Sequence, residues 1–170
     1  MRAAAKFEYE VFMKNPDRIA SFSVNHDFID EGIYVSRIDG DIVTYDLRTR
    51  KPNAGDYMDN ITMHSVEHMI ATYIRSGSIG GDVIYFGPMG CQTGFYLLVR
   101  GRENGEVLNA LREALRLTVE NTSGMFGQSR EECGNYKCLD IEAAKRECAR
   151  YLEVISGENI DFKYKDGKQK

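Results

Sequence analysis

Residues 62–77 read TMHSVEHMIATYIRSG, and this stretch has the pattern of an amphipathic helix that also carries metal-binding side chains. Apolar residues recur in it at helical intervals, and it ends in a basic residue and a glycine, as helices often do. Thr62 is suited to be the N-cap. The stretch therefore predicts a helix of about four turns that starts at Thr62.

Two of the three histidines of the chain lie in this predicted helix, at His64 and His68. Side chains four residues apart share one face of a helix, so both imidazoles can reach the same cation. Glu67 stands beside them, and the pattern His-x-x-Glu-His is the reversed form of a zinc peptidase motif. An ordinary amphipathic helix with one surface and one packed histidine gives the same pattern. A metal site therefore needs a third ligand from elsewhere in the chain.

The composition is that of an ordinary globular protein. The 170 residues are enough for one well-cored domain, and 42% are hydrophobic while 28% are charged. A net charge of −4 argues against a nucleic-acid partner. No apolar run approaches the ~18 residues of a membrane span, and the first residues do not resemble a secretory signal. We expect no membrane partner and a cytoplasmic location, with the lysines near the C-terminus in a solvated tail.

The remaining sequence alternates between strand-like and helix-like segments. Asp39-Gly40 is a hairpin signal between two strand-like runs, and a further pair of runs flanks the turn that contains Cys91. The predicted strands are 32–37, 41–47, 82–86 and 94–100, and the further helices are 104–120 and 141–156, capped by Asn104 and Asp140. The order predicts a single α+β domain with a mainly antiparallel sheet covered by helices.

The four cysteines are expected to be thiols or metal ligands, because disulfides are rare in cytosolic proteins. Cys148 lies on the apolar stripe of the last helix, where a thiol is a packing group, and Cys138 at the entry to that helix is expected to be structural. Cys91 and Cys133 each lie beside a glycine, which permits close approach by a ligand. Either could complete the histidine pair, and two histidines with one cysteine leave an open coordination position.

Three blocks of sequence together resemble the S-ribosylhomocysteine lyase family, which makes the precursor of autoinducer-2. These blocks are HSVEH at 64–68, PMGCQTGFY at 88–96 and ECG at 132–134. The likeness extends to SFSVNH at 21–26, YDLR at 45–48 and DIEAAK at 140–145. It covers about residues 21–151 and leaves an N-terminal extension at 1–17 and a C-terminal tail at 158–170 of the single domain 1–170.

The resemblance implies a carbon–sulfur lyase and a homodimer with active sites at its interface. The implied reaction cleaves S-ribosylhomocysteine to homocysteine and 4,5-dihydroxy-2,3-pentanedione through successive carbonyl migrations and a final β-elimination. It also implies one divalent metal per subunit, Fe²⁺ in the native enzyme, with Zn²⁺ or Co²⁺ as substitutes.

The resemblance also assigns roles to residues of this chain. The implied metal ligands are His64, His68 and Cys133. The implied catalytic groups are Cys91 as the thiol and Glu67 as a second acid or base, and the residues implied to contact the substrate are Ser21, His26 and Arg48. A thiolate at Cys91 would be favoured by the metal and by Arg48.

One position departs from the family pattern. The family commonly has an aspartate six residues before the catalytic cysteine, where this chain has Tyr85, and Phe86-Gly87 replaces the usual Ile-Ser. A tyrosine can form hydrogen bonds but cannot supply a carboxylate at neutral pH. The departure predicts rearranged substrate contacts or altered activity.

Two other functions fit parts of the pattern. An inverted-motif zinc metallopeptidase would use Glu67 to activate a water molecule and would not need Cys133. A non-catalytic, zinc-stabilised domain would use four closed ligands and would need Cys138 in addition to Cys133. Structural interpretations also exist for the substrate residues, among them an ion pair between Arg48 and Asp46.

Overall fold

A four-stranded antiparallel sheet and three α-helices are formed by residues 24–165, the part of the chain that this computed structural model describes. The strands are β1 (Gly32–Asp39), β2 (Ile42–Arg48), β3 (Val83–Pro88) and β4 (Gly94–Arg100). The helices are α1 (Asn60–Ser76), α2 (Asn104–Glu120) and α3 (Ile141–Val154). The predicted α+β class and antiparallel sheet are confirmed.

The sheet has the order β1-β2-β4-β3, so β2 and β4 are central. Asp39 pairs with Ile42, and the two-residue turn between them contains Gly40 at φ 63°, a backbone conformation that glycine adopts without steric cost. The predicted hairpin is therefore present. The turn between β3 and β4 carries Cys91, as predicted.

The helices cover one face of the sheet and enclose the main core with it. Side chains of all three helices meet strand residues there, among them Ile70 of α1, Leu111 of α2 and Cys148 of α3, with Leu47 and Phe95 of the sheet. Each of these side chains is at most 1% exposed. Cys148 thus has the packing position that was predicted for it. No helix among residues 24–165 is long and apolar enough to cross a membrane.

The start of α1 differs from the prediction. The N-cap is Asp59, whose carboxylate accepts a hydrogen bond from the backbone N–H of Thr62 at 2.7 Å, so the predicted cap at Thr62 is wrong. Aspartate is as good a helix cap as threonine. Asp59 lies three residues before Thr62, where its carboxylate can accept a hydrogen bond from an N–H of the first turn. Glu103 rather than Asn104 caps α2, while Asp140 caps α3 as predicted.

The second face of the sheet is polar and nevertheless buried around β2. Side chains alternate between faces along a strand, so Tyr45 and Leu47 enter the core while Asp46 and Arg48 point to the opposite side. Asp46 is 2% exposed and Arg48 is 3% exposed. A covering layer must therefore lie over these two charged side chains.

Part of that layer comes from the C-terminal segment, residues 160–165. The backbone N–H of Val35 on edge strand β1 donates to the Phe162 carbonyl at 2.8 Å. On the polar face the Tyr164 ring stacks on Tyr34, the register partner of Asp46, with the centroids 4.8 Å apart, whereas the Phe162 ring contacts Tyr45 on the core face. Lys163 is exposed as predicted, but the prediction of a solvated tail is wrong for this segment, because its aromatic side chains pack on the sheet.

Candidate metal centre and reactive thiol

The predicted third ligand of the histidine pair is Cys133. His64 and His68 project from the same face of α1, and Cys133 comes from the loop between α2 and α3. The ligand atoms of these three residues all lie within 4.8 Å of one another. Cys133 Sγ is 3.4 Å from His64 Nε2, which fits the separation of about 3–4 Å that bonds of 2.0–2.3 Å to one tetrahedral ion require.

Backbone carbonyls orient both histidines. His64 Nδ1 lies 2.9 Å from the carbonyl oxygen of Cys138, and His68 Nδ1 lies 2.9 Å from that of Phe126. A carbonyl oxygen only accepts, so each Nδ1 carries the hydrogen and each Nε2 keeps its lone pair. Metal-binding histidines are commonly oriented in this way. These residues therefore fit a divalent cation.

The loop between α2 and α3 also leaves space for the His68 ring and holds the Cys133 sulfur. Gly127 has φ 65°, and a Cβ built there would lie 2.9 Å from His68 Nδ1, so a side chain at this position would displace the imidazole. The backbone N–H of Asn135 donates to Cys133 Sγ at 3.3 Å and so holds the sulfur in position.

Three protein ligands leave a fourth position free, as in catalytic metal sites. Among the described residues, the group of potential ligands consists of His64, His68 and Cys133 and does not include the Cys138 thiol. Cys138 contributes its backbone carbonyl to His64 instead. The closed four-ligand site of the zinc-stabilised alternative is thus not what the geometry favours.

Cys91 lies in a second cluster, at the end of the sheet. Its Sγ is 3.0 Å from Thr93 Oγ1 and 3.6 Å from Arg48 Nη1. Arg48 Nη1 also donates to Thr93 Oγ1 at 2.5 Å, which leaves the hydroxyl hydrogen of Thr93 free to point at the sulfur. The sulfur therefore has a neutral donor and a cationic donor beside it, while the Cys91 residue itself is exposed.

These contacts change the acidity of the thiol. Burial alone raises the pKa of Cys91, but the hydrogen bonds of Thr93 and the charge of Arg48 outweigh burial and hold the pKa below its ordinary value. A lowered pKa increases the fraction of thiolate near neutral pH, and the thiolate is the basic and nucleophilic form. Cys91 is thus suited to accept a proton from an acidic carbon.

Arg48 is fixed by its neighbours on all sides. Its Nε and Nη2 donate to Asp46 Oδ2 at 3.1 and 3.0 Å, so the predicted alternative of an ion pair with Asp46 is confirmed and coexists with the contact to Cys91. Its register partners are Gly32 on β1 and Gly94 on β4, so neither neighbouring strand places a side chain beside it. A Cβ at Gly94 would lie 2.2 Å from the Leu47 carbonyl oxygen, which requires glycine there.

The loop that carries Cys91 is connected to the start of α1, the helix that carries both histidines. The loop that carries Cys91 is tied to the residues before the helix, because Met58 N donates to the Gln92 carbonyl at 3.0 Å and Gln92 Nε2 donates to Asn60 Oδ1 at 3.3 Å. His64 lies one turn after Asn60, about 6 Å along the helix axis. The thiol cluster and the two histidines are thus linked through the first turn of α1.

The other predicted site residues have different positions. Glu67 is on α1 next to His68 and half-buried. His26 lies in a short 3₁₀ helix, with Nδ1 3.1 Å from the Val24 carbonyl oxygen. Ser21 lies outside the described residues, so its predicted substrate contact has no structural description.

Tyr85, at the position that departs from the family pattern, is 46% exposed. Its ring lies over Gly87, and a Cβ at that glycine would come within 2.0 Å of the Tyr85 hydroxyl oxygen. The two departures are therefore coupled, because the tyrosine occupies the space that a serine side chain at 87 would need.

Several functional contacts were missed by sequence reasoning. The carbonyls of Phe126 and Cys138 carry no sequence signal, because every residue has one. Thr93 lies in the sequence PMGCQTGFY at 88–96, but no role was predicted for it.

The chain matches the family described as S-Ribosylhomocysteinase (LuxS) over residues 19–161. It is 36% identical to the S-ribosylhomocysteine lyase of Desulfotalea psychrophila over 156 residues, which cover 86% of this chain and 98% of that protein. It is 41% identical to that of Finegoldia magna over 145 residues, 82% of this chain and 92% of the relative. For the lyase of Clostridium acetobutylicum the identity is 35% over 155 residues, with coverages of 86% and 98%.

Proposed function

The chain belongs to the S-ribosylhomocysteinase family, and we propose that it is a metal-dependent lyase in which Cys91 moves the protons of the reaction. It is a carbon–sulfur lyase that cleaves S-ribosylhomocysteine, with homocysteine and 4,5-dihydroxy-2,3-pentanedione as the proposed products. The observation that carries the mechanism is a three-ligand group on α1 and its facing loop, together with a thiol of lowered pKa whose loop is hydrogen-bonded to the start of the same helix.

His64, His68 and Cys133 would hold the cation, with Fe²⁺ as the proposed native metal, one per subunit, and Zn²⁺ or Co²⁺ as substitutes. A bound divalent cation acts as a Lewis acid that stabilises negative charge on sugar oxygens, a contribution of several kcal/mol. The Nδ1 hydrogen bonds to Cys138 and Phe126 keep both Nε2 atoms directed at one point. The open position leaves room for a sugar oxygen.

Cys91 is the proposed base of the carbonyl migrations. Its thiolate removes a proton from a carbon next to the carbonyl and returns that proton to the neighbouring carbon, which shifts the carbonyl from C1 to C2 and then to C3. Thr93 and Arg48 stabilise the thiolate between transfers, because both donate toward Sγ. The thiolate is regenerated when the proton is returned, so no net proton is consumed.

The last step breaks the thioether. With the carbonyl at C3 the proton on C4 is acidic, and its removal forms the C4–C5 double bond as the C5–S bond breaks. The sulfur leaves as the thiolate of homocysteine and takes up a proton. Glu67 is the proposed group for proton transfers between oxygens and for this elimination. It lies on α1 directly before the ligand His68 and is half-buried.

Three residues are proposed to bind the substrate. Arg48 is the proposed cation for a sugar or carboxylate oxygen, and its guanidinium has five N–H donors with which to serve both substrate and Cys91. His26 and Ser21 are the other proposed substrate contacts, on the segment that precedes β1. Family membership supports these three assignments.

We further propose a homodimer that places the active sites at its interface, and a cytoplasmic location for the enzyme. Large apolar side chains exposed on the described chain support a partner surface. They include Ile61 on α1 and Ile84 on β3, which are 44% and 39% exposed. Ile61 lies within one helical turn of His64, so a partner that covers it would also close the site.

The decisive experiment is anaerobic incubation with S-ribosylhomocysteine while free thiol is followed with a chromogenic reagent. We expect one homocysteine thiol per substrate consumed. Cys91→Ala should lower the rate by about 10²–10⁴-fold with metal content unchanged, since it removes the proposed base. Full turnover in that variant would disprove the role of Cys91, and the absence of thiol release in the metal-loaded wild type would disprove the reaction.

A further inference from the structure

The C-terminal segment 160–165 reaches the thiol cluster through one hydroxyl group. Tyr164 Oη donates to Asp46 Oδ2 at 2.7 Å, and Asp46 is the carboxylate that holds Arg48. The match to the S-ribosylhomocysteinase family ends at residue 161, so Tyr164 lies outside the pattern that the family defines. Nothing in the proposed mechanism assigns it a role.

We propose that Tyr164 is a positioning residue of the active site, which fixes the Asp46 carboxylate and thereby aims Arg48 at Thr93 and Cys91. The C-terminal segment is then a functional part of this enzyme rather than a tail. This inference rests on the proposed role of Cys91 as the base of the reaction.

The arrangement of donors around Asp46 supports the proposal. Oδ2 accepts hydrogen bonds from Arg48 Nε, Arg48 Nη2 and Tyr164 Oη, at 3.1, 3.0 and 2.7 Å. Oδ1 is buried and lies 2.8 Å from Arg48 Nε, a contact that belongs to the ion pair but lacks the geometry of a hydrogen bond. The hydrogen bonds thus converge on Oδ2, and the Tyr164 bond, which comes from outside the sheet, fixes the rotation of the carboxylate about its Cβ–Cγ bond.

The direction of the guanidinium follows from that rotation. Arg48 uses Nε and Nη2 for Asp46, and this places Nη1 toward Thr93 Oγ1 at 2.5 Å and Cys91 Sγ at 3.6 Å. If the carboxylate turns, both hydrogen bonds of Arg48 to it must change, and Nη1 moves away from the sulfur. A guanidinium is planar and rigid, so a change at one side is transmitted to the other.

Tyr164 is suited to this role because it stays a donor. Burial and the charge of Asp46 raise its pKa well above the ordinary value, so the hydroxyl keeps its hydrogen at neutral pH. Burial also raises the pKa of Asp46, while Arg48 and the Tyr164 hydroxyl favour the charged carboxylate. The stack on Tyr34, with 14° between the ring planes, holds the Tyr164 ring in place independently of its hydroxyl.

The test compares Tyr164→Phe with Tyr34→Phe in the full-length chain. Both variants keep the stacked rings and lose one hydroxyl, but the Tyr34 hydroxyl donates to the Asp30 carbonyl at 2.9 Å and not to Asp46. The first measurement is the rate of Cys91 alkylation by iodoacetamide without substrate, as a function of pH, with the modified peptide quantified by mass spectrometry. The second is kcat and KM for thiol release.

Apart from the two tyrosines that are replaced, the titratable and charged groups around this network are common to both variants. They face Cys91 and Asp46 from β2, β4, α3 and the short 3₁₀ helix, and they are Arg48, Tyr96, Tyr151 and His26. A shift seen with Tyr164→Phe alone therefore reports the bond to Asp46.

For Tyr164→Phe we expect the alkylation profile of Cys91 to move to higher pH, and kcat to fall about three- to tenfold with KM nearly unchanged. Tyr34→Phe should match the wild type. An unchanged alkylation profile in Tyr164→Phe, or an equal shift in Tyr34→Phe, would overturn the inference. Because alkylation is measured without substrate, the result for Tyr164 stands even if the wild type fails to cleave S-ribosylhomocysteine.

Discussion

At the scale of single residues, the acidity of Cys91 depends on two donors that come from different parts of the chain. Thr93 lies in the same turn as Cys91, just before β4, whereas Arg48 ends β2, and both reach the same sulfur atom. Thr93 is 2% exposed, so its hydrogen bond is shielded from water and is correspondingly strong. Replacement of this one hydroxyl therefore has a measurable effect on the thiol.

Thr93→Val should move the pH dependence of kcat to higher pH. The hydroxyl favours the thiolate, so its loss raises the pKa of Cys91, and a higher pH is then needed for the same thiolate fraction. Activity at pH 7 should fall roughly tenfold and recover as the pH is raised. Thr118→Val is the matched control, because that buried hydroxyl bonds to the Ala114 carbonyl within α2. Equal pH profiles for the two variants would contradict the assignment.

At the scale of elements, α1 and the loop 121–140 build the metal site together. The helix supplies two imidazoles at a spacing of one turn, and the loop supplies Cys133 and the two carbonyls that orient the rings. Ser65 connects them, since its hydroxyl donates to the Ile61 carbonyl and accepts from Asp140 N at 2.8 Å. The predicted helix boundaries were close because apolar periodicity is local, whereas the course of the loop depends on contacts across the molecule.

Gly127→Ala should weaken metal binding, with Gly124→Ala as its control. Both glycines have positive φ, at 65° and 85°, so both substitutions strain the backbone to a similar degree. Only a Cβ at Gly127 meets His68, at 2.9 Å from Nδ1, while one at Gly124 meets open space. We expect metal affinity, measured by competition with a chromogenic chelator, to fall about 10–100-fold for Gly127→Ala only. Equal losses in both variants would show that backbone strain and not the histidine contact is responsible.

At the scale of the whole molecule, the site joins parts of the chain that the fold brings together from far apart. The ligands span residues 64–133, and the thiol cluster spans residues 46–164. A cation that binds the folded chain and not the unfolded one stabilises the fold by linkage, by about 2.7 kcal/mol when its free concentration is 100 times Kd. A cation held by His64, His68 and Cys133 would therefore couple its binding to global stability.

Removal of the metal with a chelator should lower Tm by roughly 5–10 °C, as measured by calorimetry before and after addition of Fe²⁺ or Zn²⁺. Cys133→Ser should bind little metal and show no change on chelation. Cys138→Ser should behave as the wild type, since that residue offers His64 its backbone carbonyl, which serine also has. Loss of metal from Cys138→Ser would instead favour four closed ligands, and full retention in Cys133→Ser would favour the peptidase alternative.

The sequence by itself determined what depends on neighbours along the chain. The spacing of His64 and His68 follows from the helical period, the turn at Gly40 from the conformational freedom of glycine, and the class of fold from apolar periodicity. Only the tertiary structure decided which cysteine joins the histidines, which carbonyls orient them, and that Tyr164 lies on Asp46. Such contacts join residues far apart in sequence, and they exist because side chains pack on the sheet and its loops, which no local pattern specifies.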